Sequence, residues 1–404
     1  MKNAVAFEWK RPPWQLGLVG LLLGFLVLIV PAIHWQPVPV DYQKYNYWPV
    51  TVSSEKRMVQ HWIENGSQTY SPTATKAVKP LNLEQTRRSG RRYQVMVKAF
   101  RHGDYLTIDQ QIIKALNDST TDGIRWTDAN LLMIVEYGRP ISPLHSVAAL
   151  RAPYEYLVAH KVNRLPALGL QSGAGQAITA QLEKSTFFLV MLAVLVLMLG
   201  LTYTKEAGNG TAQFMRTIPE SDLKLALAKF VPLLAWFNLA VVGAVILAMT
   251  FFALWPDQNF GSLLVPYIYD WHGEIFAMAL WQFLSLEWLA LNVWAFFLAG
   301  LAYLLSMGLR RPVALCFALA VVTFARQLGL LNLVPLTWQD FVPAKYTLLP
   351  DMLTRQVTFV DQKPWQWLLL FLGFGVLAWG LAAGAIWLRD HRRSGRTKGG
   401  RAHA

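Results

Sequence analysis

Long apolar stretches with almost no charge constrain the fold of this chain more than any other feature. A bilayer has a hydrocarbon core that requires about 20 consecutive apolar residues for each helix that crosses it. Six stretches reach this length, and they predict transmembrane helices at 14–35, 185–204, 230–255, 284–309, 312–334 and 365–388. The predicted fold class is therefore an α-helical polytopic membrane protein with six spans.

The composition agrees with burial in lipid. Of the 404 residues, 54% are hydrophobic and 15% are charged, whereas soluble domains carry about 25% charged residues. The net charge of +13 could indicate a nucleic-acid partner. However, several basic clusters adjoin the apolar stretches, as anchors at an anionic membrane surface do. We therefore expect membrane lipids as partners and no nucleic acid.

The first apolar stretch reads as a retained anchor. Residues 12–40 carry no charge, and no small-residue cleavage pattern follows them. This length exceeds the apolar core of a signal peptide. The single cysteine, Cys316, lies inside the fifth stretch, so no intrachain disulfide is possible. Any exterior domain is therefore expected to be held by packing alone.

The distribution of lysine and arginine between the stretches predicts the orientation. Short cytoplasmic connections carry an excess of these residues. They occur in the N-terminal segment 1–13, in the connection 205–229, at Arg310 and Arg311, and in the tail 389–404. The connection 256–283 carries none. We therefore expect both termini in the cytoplasm and a multi-pass protein of the cell membrane, here the plasma membrane of a bacterium.

A polar segment at 36–184 separates the first two spans and is long enough for one independent domain. The predicted orientation makes it extracytoplasmic. Apolar residues at helical spacing predict a mainly helical fold, while 93–100 alternates enough to be a strand, so an α+β fold stays open. Helices are predicted near 58–63, 108–116, 127–134 and 147–156.

Two further exterior loops are predicted, at 256–283 and at 335–364. The apolar run that begins at Ile275 is longer than one span requires. We therefore expect a short interfacial helix at 275–283 before the fourth span begins.

Motifs for catalysis and for metal binding are absent from the sequence. There is no G-x-x-x-x-G-K-[ST], so no ATP binding through a P-loop is expected. The eight histidines form no pair at metal-ligand spacing on a predicted helix. No catalytic residue, no metal ligand and no cofactor is therefore predicted for this chain.

Two charged residues interrupt the predicted spans. Glu287 lies near the outer end of the fourth stretch, and Arg326 lies in the outer half of the fifth. Charges inside a span are functional candidates by default. Glu287 and Arg326 could line a substrate path, or they could form a structural pair or extend towards the interface. The sequence leaves these alternatives open.

The connection between the second and third spans predicts a short surface helix. Its sequence, at 203–230, is YTKEAGNGTAQFMRTIPESDLKLALAKF. Thr211 can cap a helix that Pro219 ends, and Ser221 and Asp222 can cap a second helix that continues into the third span. Phe214, Met215 and Ile218 offer an apolar contact surface for a cytoplasmic partner.

This connection resembles the corresponding loop of ABC-2-type ABC transporter permeases. Their loop often carries E-x-x-x-G-T-x-x-x-L-x-x-x-P, followed by an apolar residue, a serine, a basic residue and then x-x-[apolar]-x-x-K. Glu220 and Asp222 depart from the last part of that pattern. The six-span topology with a large insert after span one is also similar. The matching or near-matching positions are Glu206, Gly210, Thr211, Phe214, Pro219, Ser221, Leu225 and Lys229.

The resemblance implies the permease subunit of an ATP-driven exporter. A separate cytoplasmic ABC ATPase, which would carry the ATP and Mg²⁺, would dock on the connection. A second permease subunit, identical or a sister chain, would complete the translocation path. The alternative is a membrane sensor or immunity protein that does not pump and whose exterior domain binds a peptide or antibiotic. The expected docking residues are Glu206, Gly210, Thr211, Phe214, Met215, Ile218 and Pro219.

Overall fold

The structure is a computed structural model, and it describes a defined part of the chain. The described residues are 5, 8–9, 14–33, 91–92, 94–96, 98–99, 102–118, 147–163, 174–182, 185–208, 221–254, 260–264, 266–271, 274–339, 341–347 and 364–399. In chain order the elements are α1 Trp14–Ile33, α2 Tyr105–Asp118, α3 Val147–Ala159, α4 Ala174–Leu182, α5 Thr186–Gly208, α6 Asp222–Ala253, β1 Pro266–Trp271, β2 Glu274–Ala279, α7 Leu280–Ser306, α8 Pro312–Thr323, a 3₁₀ helix Leu330–Leu333, α9 Leu336–Gln339, a second 3₁₀ helix Pro343–Tyr346, and α10 Pro364–Gly399.

The chain forms two compact units. The bundle unit consists of Met1–His34, Ala177–Leu254 and Phe283–Ala404. The hairpin unit consists of Trp35–Gln176 and Trp255–Gln282. The two segments that the sequence suggested as separate exterior parts, after span one and after span three, thus contribute to the same compact unit.

Five helices are long and apolar enough to cross a membrane, namely α1, α5, α6, α7 and α10. They lie at the first, second, third, fourth and sixth predicted positions. A chain with several such helices is a polytopic helical membrane protein.

The fifth predicted span has a different structure. Helix α8 has only 12 residues, which corresponds to about 18 Å at 1.5 Å per residue. Among the described residues up to Thr347, turns, two short 3₁₀ helices and the single turn of α9 follow it. The continuous helix expected at 312–334 is therefore wrong, and six spans are not confirmed. Gly329 has a left-handed φ of 72°, which a right-handed helix cannot contain.

Helix α6 begins where the sequence predicted a helix start. Ser221 is the N-cap residue and has extended backbone angles, although its side chain makes no capping hydrogen bond. The helix then runs without a break for 32 residues. The predicted helix that begins at Ser221 and Asp222 and continues into the third span is therefore confirmed, and it includes Lys229.

Small residues bring α1 close to its neighbours in the bundle unit. Helix α1 packs against α5 and α6. A Cβ atom added to Gly20 would lie 2.7 Å from Val194 Cγ1, and one added to Gly24 would lie 3.0 Å from Ala244 Cβ. Such glycines allow the close backbone approach that stabilises helix pairs in lipid, where no hydrophobic force drives association.

A glycine also allows α5 to approach α8 closely. A Cβ atom added to Gly200 would collide with the Cys316 thiol. The Cys316 thiol also approaches the Val196 carbonyl oxygen at 3.9 Å. Gly200 is thus a position where any larger side chain would collide with α8.

Aromatic side chains fill the contact between α7 and α10. The indole N–H of Trp379 donates to the Phe296 carbonyl oxygen at 3.1 Å. The Trp379 ring also lies 6.2 Å from the Phe296 ring and 6.4 Å from the Phe230 ring, measured between centroids. Gly300 lies under the Trp379 ring, since an added Cβ would be 2.9 Å from Trp379 Cδ1.

In the hairpin unit, β1 and β2 form an antiparallel pair in which Pro266 lies opposite Ala279 and Trp271 opposite Glu274. The interfacial helix expected at 275–283 is therefore wrong, because this stretch is strand up to Ala279 and helix α7 from Leu280. Two runs rich in aromatic and β-branched residues with only two residues between them favour a hairpin. Helix α3 packs against both strands.

Helices α2 and α3 confirm the predicted helices at 108–116 and 147–156. They pack against each other. The strand alternative for 93–100 is wrong, since the described residues there are helical. The helices predicted near 58–63 and 127–134 lie outside the described residues.

A distant side chain caps α2. The Asn163 Oδ1 atom accepts hydrogen bonds from the backbone N–H groups of Tyr105, at 2.8 Å, and Leu106, at 3.2 Å. Asp104 also accepts from the Thr107 backbone N–H at 3.1 Å and from its hydroxyl at 2.6 Å. These bonds favour the charged carboxylate and lower the pKa of Asp104.

Candidate functional site

The predicted docking segment lies between the ends of α5 and α6. Glu206 is in the last turn of α5. The remaining predicted docking residues lie outside the described residues, and they are Gly210, Thr211, Phe214, Met215, Ile218 and Pro219. The helix ends that flank the segment are described, so the geometry of its two attachment points is defined.

A buried hydrogen bond joins these two attachment points. The Tyr203 hydroxyl, in α5, donates to the Ala226 carbonyl oxygen, in α6, at 3.2 Å. Both residues are buried. In an apolar environment a hydroxyl without a partner would be costly, so this bond holds the ends of α5 and α6 together directly at the base of the segment.

An ion pair joins α10 to the start of α6, next to the same segment. The Arg389 guanidinium donates to the Asp222 carboxylate, and both side chains are about one-third exposed. Asp222 lies in the first turn of α6, where a negative charge is favourable because of the helix dipole. Asp222 is one of the departures from the family pattern, and its partner lies 167 positions away in sequence. The sequence alone gave no signal for this pairing.

Glu287 lies in the interior of the bundle unit. It is 3% exposed, and its Oε1 atom has no hydrogen-bond partner. It shares one face of α7 with the buried residues Phe283, Leu291 and Trp294, since their spacing is that of helix turns. A carboxyl group among apolar neighbours in a membrane helix is costly, so Glu287 stays a candidate functional residue.

Arg326 is not in the middle of a helix, as the sequence suggested. It lies in the turns that follow α8 and is half-buried. The ion pairs that the described residues form do not include one between Arg326 and Glu287. The structure thus places the two predicted residues on different elements without bringing their charges together.

A polar cluster that the sequence analysis missed joins α6 to α7. Asn238 and Asn292 exchange side-chain hydrogen bonds, with Nδ2 to Oδ1 distances of 2.8 Å and 2.9 Å. The Trp288 indole N–H also donates to Asn238 Oδ1 at 2.6 Å. Each asparagine also donates a side-chain N–H to a carbonyl oxygen of its own helix. Both asparagines interrupt apolar stretches, as Glu287 does, and that signal could have found them.

Side-chain hydrogen bonds organise the segment after α8 and join it to α7. The Trp294 indole N–H donates to the Tyr346 carbonyl oxygen at 3.3 Å, and Gln327 Nε2 donates to Thr347 Oγ1 at 3.2 Å. Gln339 Nε2 donates to the carbonyl oxygens of Leu331 and Val334, at 3.1 Å and 3.0 Å. This side chain therefore satisfies backbone groups that no regular helix satisfies.

Within the described part of the chain, no group of three or more His, Cys, Asp or Glu residues could hold a metal ion. The interhelical contacts instead define a class, a multi-pass helical membrane protein whose helices are joined by small residues and buried hydrogen bonds. The chain matches no family model, no curated protein and no solved structure. The class therefore comes from the fold alone.

Proposed function

We propose that the protein is the permease subunit of an ATP-driven ABC-2-type exporter. In this proposal a separate cytoplasmic ABC ATPase supplies ATP and Mg²⁺ and docks on the segment between α5 and α6. A second permease subunit completes the translocation path. The loop resemblance described above motivates the assignment.

Two contacts at the helix ends that flank this segment support the proposal most. The Tyr203–Ala226 hydrogen bond joins α5 to α6, and the Asp222–Arg389 ion pair joins α6 to α10. A docking protein that moves the segment would therefore act on three membrane helices together. Such a mechanical connection is what coupling of ATP hydrolysis to transport requires.

Helix α5 is suited to pass such a movement on. It packs against α1, α6 and α8, and more than half of its membrane-length apolar stretch is buried. Well-packed interiors transmit displacement because they have few voids. A shift of the α5 end would therefore change the contacts of α8 through Gly200 and Cys316.

The test of docking is a single substitution in the predicted apolar surface. We expect Phe214→Asp to abolish co-purification with an ATPase, because a carboxylate removes the apolar contact. The chain is tagged and purified from its native membranes. MgATP hydrolysis is then measured, together with peptide mass spectrometry for a partner that carries a G-x-x-x-x-G-K-[ST] motif.

The matched control is Phe260→Asp, the same change at an exposed phenylalanine of the hairpin unit. It is expected to leave both the hydrolysis activity and the P-loop partner unchanged. Equal co-purification of the ATPase with Phe214→Asp, or its absence from the unsubstituted protein, would refute the proposed function. The second result would favour the sensor or immunity alternative.

A further inference from the structure

Helices α2 and α3 of the hairpin unit are joined by polar side chains at both ends. Asn163, just after α3, caps the start of α2 and also donates from Nδ2 to the Gly103 carbonyl oxygen at 3.0 Å. At the other end, Arg151 near the start of α3 donates to Asn117 Oδ1, near the end of α2, at 3.0 Å. The two helices therefore run antiparallel.

These end contacts are exposed to solvent. Water can replace an exposed hydrogen bond when it breaks, so the net contribution of each bond to stability is small. The end contacts thus fix the register of α2 against α3. What keeps the two helices together must lie in the interior between them.

An apolar strip fills that interior. On α2 the side chains of Ile108, Ile112 and Leu116 are at most 1% exposed, and on α3 those of Tyr154 and Leu157 are at most 2% exposed. The spacing of four residues places the three α2 side chains on one face of the helix. Since α2 and α3 pack against each other, separation of the pair would expose this strip to water.

Asp109 is buried beside the strip. Its side chain is 0% exposed, and among the described residues neither of its carboxyl oxygens has a hydrogen-bond partner. An ionised carboxylate without water or a partner is far more costly than a neutral acid, and burial accordingly raises the pKa of this carboxyl to about 9. The closed helix pair therefore accommodates Asp109 in its neutral form.

Other titratable groups around α2 are engaged elsewhere. Arg151 pairs with Glu155 at 2.9 Å. The Nδ1 atoms of His102 and His160 donate to carbonyl oxygens of their own segments, at 2.7 Å and 2.9 Å. Within the described part of the chain, none of the groups on the packed elements bonds to the Asp109 carboxyl; they belong to Arg151, Tyr154 and Glu155 on α3, to His160 after it, and to His102 and Asp104 before α2.

We propose that the α2–α3 contact is a proton-dependent switch, in which α2 packs on α3 while Asp109 is protonated and separates from α3 when Asp109 ionises. Helix α3 keeps its packing against β1 and β2, so the opening is local. After separation the carboxyl is in water and has its ordinary pKa. The equilibrium constant for opening therefore rises about tenfold per pH unit between about pH 4 and pH 9. Acid closes the pair, and base opens it.

Cysteine accessibility in the purified full chain, in detergent, tests the switch. The native Cys316 is first replaced by Ala, which removes the only thiol. A single cysteine is then introduced at Ile112 in the strip or, as the reference, at the exposed Gln110 of the same helix. A water-soluble methanethiosulfonate labels each variant between about pH 5 and pH 8. Division of the rate at 112 by the rate at 110 removes the pH dependence of the thiol itself.

This ratio is expected to rise at least about tenfold from pH 6 to pH 8. Leu157→Cys on α3 is a second probe of the strip and should show the same rise, even if Ile112→Cys does not fold. Asp109→Asn and Asp109→Leu both remove the ionisable group, and each is expected to make the ratio independent of pH. Ala279→Cys on β2, at a position 2% exposed, is the matched buried control and should stay protected.

Three results would overturn the proposal. A ratio that does not change with pH would show that ionisation of Asp109 does not separate α2 from α3. A rise that persists in both Asp109 variants would assign the response to another group, such as His160. An equal rise at Ala279→Cys would show that the whole unit opens. The measurement needs no ATPase, so its outcome is independent of the Phe214→Asp test.

Discussion

In the bundle unit Asn238 and Asn292 exchange hydrogen bonds, and Tyr203 bonds to the Ala226 carbonyl. In the hairpin unit Asp109 is fully buried, and neither of its carboxyl oxygens has a hydrogen-bond partner. These two contacts satisfy polar side chains across helices in one region, while a buried acid is tolerated alone in the other.

The position of the long apolar helices explains much of this difference. Helices in lipid have no water to bond with before or after they pack, so a polar side chain gains most by bonding to another helix. The hairpin unit contains none of the five long apolar helices apart from the first residues of α7, and an acid there can instead be buried with its proton. Glu287 lies on one of the long apolar helices and its Oε1 atom has no hydrogen-bond partner, so it stands out as a candidate functional residue.

The largest expected effect concerns Asp109 and pH. Burial raises the pKa of this carboxyl from 3.8 to about 9. Between pH 3.8 and about pH 9, the Asp109 carboxyl is protonated in the folded unit and ionised in the unfolded chain. Stability is therefore fully present below about pH 4, and it falls by about 1.4 kcal/mol per pH unit as the pH rises towards 9.

Hydrogen exchange of the α2 and α3 amides in the full chain measures this slope. The Asp109→Asn variant cannot ionise, so we expect its protection to depend much less on pH and to exceed that of the unsubstituted protein at pH 8. Gln110→Ala, which changes an exposed neighbour on the same helix, serves as the control. Equal slopes in the Asp109→Asn variant and the unsubstituted protein would contradict the buried-acid interpretation.

A second prediction addresses the close packing of the bundle unit. We expect Gly200→Ala to lower the free energy of unfolding by about 1–3 kcal/mol, because the added methyl group collides with the Cys316 thiol. Gly373→Ala on α10 is the control, since nothing lies within 4 Å of the position of its added Cβ. Denaturant titration of the purified protein, followed by tryptophan fluorescence, gives both values.

The collision can also be removed by shortening the side chain at position 316. The double variant Gly200→Ala with Cys316→Ala is expected to regain most of the lost stability, because the sulfur atom is absent. If Cys316→Ala restored nothing, the α5–α8 contact would not be the cause of the loss.

The smallest expected effect tests the asparagine pair. Asn238→Leu should lower the stability of the bundle by about 1 kcal/mol, in the range measured for hydrogen bonds between membrane helices. The Asn292 side chain then keeps polar atoms without partners. Replacing both residues by Leu should therefore cost less than the sum of the two single changes, and additive losses would show that the two amides do not interact.

Local patterns predicted the long helices well. Apolar length alone located α1, α5, α6, α7 and α10, because a helix in lipid must satisfy its own backbone. The short helix α8 was overestimated, since its run stays apolar after the helix ends. Arg326 and Gly329 were the signals for that end.

Pairing between distant segments could not be predicted in the same way. The β1–β2 hairpin was missed because the apolar run from Ile275 fits a helix as well as a strand. The Asn238–Asn292 pair and the Asp222–Arg389 pair each depend on which helices become neighbours. The docking residues other than Glu206 lie outside the described residues, so their arrangement stays a prediction.

The early end of α8 has an electrostatic consequence. The peptide dipoles of a helix leave about half a negative charge at its carboxyl end, and a cation near the last turn stabilises that partial charge. Arg326 follows the last helical residue, Thr323, by three positions. The chain therefore supplies a positive charge within one turn of the carboxyl end of α8, where the field of the helix favours it.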